Sequence, residues 1–193
     1  MSYCKLIIFK NGIPSDGIEF RDSWGGAARI WNSLFDAHVP KTGEFDSWMT
    51  NPTRLWNIAS MNGVSLCEKA VHVFTFDKFY VEQKNFKCFA SDLRQFVKMY
   101  PVPERVDHLP EWAMWFDENV EVEAVGLYAT SVSENLWYRH KHCEHCDSET
   151  DEREPVPLTE GKEVYAWLAS QSNIKPETKE TEILPESVGS AKE

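Results

Sequence analysis

Long apolar runs are missing from this sequence. The longest near its start, Leu6-Ile7-Ile8-Phe9, falls far short of the roughly 18–20 residues that a membrane helix needs. The same block is too short for the apolar centre of a secretory signal, so the sequence predicts a soluble, cytoplasmic protein with no membrane partner. Phosphate cradles are missing as well: neither Gly-x-Gly-x-x-Gly nor a Walker A pattern occurs. Gly63-Val64-Ser65-Leu66-Cys67 departs from a nucleophile elbow at its last position, where Cys stands for Gly, and no obvious strand precedes it. An even cysteine set is lacking too. Five cysteines without a leader argue against a disulfide framework. Cys4, Cys67 and Cys88 sit in apolar segments and read as buried thiols.

Basic charge is scarce, and unevenly so. Residues 1–100 carry a net +2, residues 101–142 a net −5 and residues 143–193 a net −8, within a total of −11. An acidic second half disfavours phosphate backbones and favours basic partners. What the chain has in quantity is apolar and aromatic surface. At 193 residues with 42% apolar and 13% aromatic side chains, it can bury the core of one domain.

The local patterns predict an α+β fold, a single compact domain with a mainly antiparallel sheet packed by several short helices. Residues 3–10 read as a strand ended by the turn signal Asn11-Gly12, with a second extended piece near 17–20. Ser23 is placed to cap a helix in which Trp24, Ala27, Ala28, Trp31, Leu34 and Phe35 form one stripe, stopped at Val39-Pro40. Gly25 and Gly26 in its first turn would let another backbone approach closely. Asn51-Pro52 opens a second helix. Residues 69–76 read as a strand, and 79–82 and 85–89 as extended pieces. Ser91 is read as the cap of a helix through Leu93, Phe96, Val97 and Tyr100. Leu109-Pro110 opens another, 120–132 reads as a strand, and 136–139 as the last one. The body spans 1–146. An acidic linker follows at 147–158, then a short helix at 159–171 docking on the body, and a disordered tail at 172–193.

Three groups of residues suggest chemistry. In His140-Lys141-His142-Cys143-Glu144-His145-Cys146, the Cys143/Cys146 spacing suits two thiolates on one tetrahedral zinc, with His140 and His142 as nitrogen ligands. A closed site needs a pair beside the two thiolates: His140 or His142 with a distant residue such as His108 or Cys67, or a pair from a second subunit. A zinc deaminase would need a His-x-Glu pair upstream, which is absent. Asp77, Glu82 and Lys84 could form a metal-dependent nuclease centre, two carboxylates on Mg²⁺ beside a lysine. Basic side chains between 78 and 98 would suit a phosphate backbone, but the aromatics interleaved with them recur at strand and helix periods, as core packing requires. A nucleic-acid partner is therefore not expected. Of the eight tryptophans, Trp48 and Trp167 fall outside the clearest stripes and are candidate interface anchors.

These features point to a non-enzymatic accessory or inhibitory binding protein, of the kind found in phages and mobile elements. Its acidic C-terminal half would engage a protein partner with a basic surface. The alternatives are the metal-dependent nuclease and a zinc-stabilised assembly module.

Overall fold

The computed structural model describes residues 3–21, 25–43, 45–129, 135–143, 145–146 and 148–172. The expected cap Ser23, the first stripe residue Trp24 and the tail beyond 172 lie outside the described residues.

Strand β1 (Tyr3–Lys10) and β2 (Ile13–Arg21) form the antiparallel hairpin that Asn11-Gly12 announces. Both turn residues have positive φ, 53° and 72°, the twist that matches two flanking strands. Helix α1 (Ala27–His38) buries Ala27, Ile30, Trp31, Leu34 and Phe35. The chain before it lies so close to the next layer that a Cβ at Gly25 would meet the His108 ring at 2.4 Å. The Gly25 carbonyl accepts the His108 N–H at 2.9 Å. Helix α2 (Pro52–Trp56) runs into a 3-10 turn at Asn57–Ser60.

The segment read as a strand at 69–76 is a helix, α3 (Leu66–Phe74). A capping box decides it. Ser65 Oγ accepts the Glu68 N–H, and the Glu68 carboxylate accepts the Ser65 N–H at 2.8 Å, so local hydrogen bonding selects helix over the strand preference of Val71 and Val73. β3 (Phe79–Glu82) follows. Helix α4 (Phe86–Met99) absorbs the extended piece read at 85–89, and Ser91 lies inside it rather than at its cap. α5 (Leu109–Glu118) and β4 (Ala124–Ala129) stand where the sequence places them.

The expected linker at 147–158 contains strand β6 (Glu149–Pro155), paired antiparallel with β5 (Tyr138–His142). No apolar alternation announces this hairpin, because much of its cross-strand pairing is ionic: Arg139 with Glu154 and Lys141 with Glu152. Short β7 (Lys162–Glu163) leads into α6 (Val164–Ser172), the helix expected at 159–171.

The fold is α+β. Its main sheet has the order β2-β1-β4-β3-β7, antiparallel except for the β3–β7 pair. Alternate residues divide its two faces. Leu6, Val81, Val125 and Leu127 join the large core beneath the helices, whereas Ile7, Phe9 and Ala124 enclose Trp137 on the opposite face. Arg29 and Asp107, each with 3% of its side chain exposed, form an ion pair that ties α1 to the chain before α5. No helix among the described residues is long and apolar enough to cross a membrane.

Candidate functional site: an aromatic pocket with one carboxylate at its mouth

The candidate metal residues gather at the tip of the β5–β6 hairpin. The Cys143 N–H donates to the Ser148 carbonyl at 2.8 Å, and Cys146 Sγ lies 2.9 Å from Ser148 Oγ. Hydrogen bonds from the Ser148 hydroxyl and then from Cys143 hold the Cys146 thiol below its ordinary pKa. His140 Nδ1 donates to the Thr150 carbonyl at 2.7 Å, which fixes its ring against the neighbouring strand. The register slips between His140 and His142. Two thiols make half of a tetrahedral set, and no group of three or more His, Cys, Asp or Glu converges on one point among the described residues.

Asp77, Glu82 and Lys84 are spread along β3. Asp77 precedes the strand and Glu82 ends it, so the strand, about 10 Å long, separates their backbone positions. Glu82 pairs with Lys84. That hydrogen bond raises the lysine pKa, which keeps it a cation. The interface candidates are half-buried. Trp48 sets its ring against Trp31 at 5.0 Å and donates Nε1–H to Asn32 at 3.0 Å. Trp167 stands edge-on to Phe79 at 5.5 Å. Trp56, which the sequence reading passed over, is 56% exposed.

Trp56, Trp167 and Asp77 meet at one place. A cavity of about 460 Å³ opens between the C-terminal end of α3, the facing ends of β3 and β4, and α6. Trp31, Val73, Phe79 and Leu127 make its floor, and Trp56, Phe76 and Trp167 its walls. His72 borders the floor from α3, with 1% of its surface exposed and neither ring nitrogen hydrogen-bonded. Burial pulls its pKa down to about 4, a nearby Leu55 carbonyl opposing the shift, so the ring is neutral at pH 7. Thr75 Oγ1 accepts Trp31 Nε1–H at 2.8 Å and donates to the His72 carbonyl at 2.6 Å. The Thr75 hydroxyl and the Trp31 indole are thus engaged with the protein itself, while the His72 ring nitrogens are not.

Asp77 differs from the other polar lining residues. It is exposed, its φ is 44°, and its carboxylate has no ion pair or hydrogen bond among the described residues. Left-handed backbone is one that Asp and Asn accept more readily than other side chains. The turn therefore tolerates Asp77 and presents it at the pocket mouth.

The Thr75 hydroxyl in the lining is bonded to the Trp31 indole and to a backbone carbonyl, neither of which could activate it as a nucleophile. A strongly connected titratable cluster lies at the other end of α3. There, burial raises the Glu68 pKa, but bonds from Ser65, Tyr100 and His38 outweigh it and hold the carboxyl at about 2. Next to it, burial pushes the Cys67 thiol up to about 12, which leaves it inert as a nucleophile. No family model, no curated protein and no solved structure matches this chain.

Proposed function

We propose that this protein is a non-catalytic accessory or inhibitory binding protein that engages a protein partner with a basic surface. The observation that carries this reading is the pocket itself: aromatic walls and one carboxylate at the mouth uncompensated among the described residues. Such a recess accepts an anchor side chain of a partner, as hot-spot pockets do. The free carboxylate selects the sign of charge beside that anchor. Long-range charge favours the same partner. Glu104, Glu118, Glu121, Glu149 and Asp151 are exposed and make no ion pair among the described residues, so the net −11 of the chain projects a field that steers basic surfaces inward.

Tryptophan emission tests the reading, because Trp31, Trp56 and Trp167 line the recess. Titration with a lysine-rich peptide should change the emission saturably, with affinity falling at least about tenfold between low and high salt. A glutamate-rich peptide of equal length should produce no change. Affinity independent of ionic strength, or equal response to both peptides, would remove the basic-partner reading.

A further inference from the structure

We infer that the group the pocket takes is an alkylammonium head, the lysine side chain of such a basic partner. This rests on the proposed binding function and specifies what enters the site. Three partly exposed rings, Trp56, Phe76 and Trp167, wall the recess. The faces of such rings carry negative potential, and their attraction for a cation grows once water is excluded. Asp77 supplies a full negative charge at the same mouth and has no cation paired with it among the described residues.

The alternatives fit less well. An anionic ligand would meet the Asp77 carboxylate with no compensating charge among the described residues, since His72 is neutral at pH 7 and no described lysine or arginine lines the recess. A neutral apolar ligand would fill the floor but desolvate Asp77 without a partner, which is costly. A sugar or nucleobase would meet a lining dominated by the rings of Trp31, Trp56, Phe76, Phe79 and Trp167, and the Thr75 hydroxyl is already bonded on both sides. The protein also shows the favoured contact internally: Lys162 Nζ sits 5.8 Å from the centre of the Phe79 ring. That ammonium lies outside the pocket lining and leaves the Trp56, Phe76 and Trp167 rings unoccupied by cations.

A charge-only comparison tests the inference on the full chain. Choline and 3,3-dimethylbutan-1-ol share a shape and differ by the positive nitrogen. Followed by tryptophan emission or calorimetry at pH 7, choline should bind saturably and roughly tenfold more tightly than the alcohol. Asp77→Asn keeps a side chain that tolerates the left-handed backbone and should weaken choline without weakening the alcohol. Trp56→Leu, at an exposed ring, should also weaken choline. A lysine peptide should lose affinity on acetylation of its ammonium groups. Equal or tighter binding of the alcohol, or indifference of choline to Asp77→Asn, overturns the ammonium assignment. So does choline binding that an acetylated and an unmodified lysine peptide displace equally well. Salt-sensitive binding of the lysine-rich peptide would survive such a result, so the two proposals fail separately.

Discussion

At the scale of single residues, His72 is the side chain whose surroundings demand most of the fold. Its imidazole is packed edge-on to Phe76 at 4.6 Å and lacks hydrogen bonds at both nitrogens. A buried polar group left unpaired costs about 1–3 kcal/mol, and charging it would cost more. Its folded pKa of about 4 lies below the ordinary 6.5, so the unfolded chain binds the proton more tightly. Stability linked to this group is therefore fully present above pH 6.5 and is lost as pH falls through 6.5 towards 4. From pH 7 to pH 5 the loss is about 2 kcal/mol. Glu68, depressed from 4.5 to about 2, releases its contribution only at lower pH, which leaves the upper window to the histidine. Urea unfolding at pH 7, 6 and 5 should show this decline in the natural protein and little of it in His72→Leu. Parallel declines in both proteins would mean that another group titrates there.

At the scale of elements, the legible parts were those with one dominant local signal. Asn11-Gly12 marks the first hairpin because few other dipeptides adopt its two positive φ angles, and the Trp31, Leu34 and Phe35 stripe marks α1. α3 was misread because Ala70, Val71, Val73 and Phe74 fit both the helical and the alternating period, and only the Ser65–Glu68 pair separates them. The β5–β6 hairpin was hidden because its cross-strand contacts are between charges. The pocket was least legible of all. Trp56, Asp77 and Trp167 come from three distant stretches, and neither spacing nor composition shows that a sheet end brings them together. The other face of the sheet depends on a packing detail that is equally invisible in sequence. β4 carries Gly126 directly beneath Trp137, where a Cβ would lie 2.5 Å from Nε1. Trp137 is fully buried, so neither ring nor strand can yield cheaply. Gly126→Ala should cost about 1–3 kcal/mol by overpacking, while Gly43→Ala, where an added Cβ meets nothing within 4 Å, should be nearly neutral. Melting temperatures of the two variants check this, and equal values would mean that Trp137 moves aside freely.

At the scale of the whole molecule, charge acts on folding and on binding with opposite signs. A net −11 repels itself in the compact state, and dissolved salt screens that repulsion. Opposing it are surface pairs such as Arg139–Glu154, Lys141–Glu152 and Arg94–Asp117, which salt also screens, but exposed pairs contribute little each. The buried Arg29–Asp107 pair, with 3% of each side chain exposed, lies beyond the reach of mobile ions. Repulsion should therefore dominate the salt response of the free protein. Raising sodium chloride from about 20 mM to about 500 mM shortens the screening length from roughly 20 Å to roughly 4 Å. At pH 7.5 the melting temperature should then rise by a few degrees, while affinity for a lysine-rich peptide falls over the same range. Scanning calorimetry of the free protein beside the fluorescence titration reads both. A melting temperature that falls with salt would mean that the surface pairs outweigh self-repulsion. The acidic field would then be locked within the fold's own ion pairs rather than left to attract a partner.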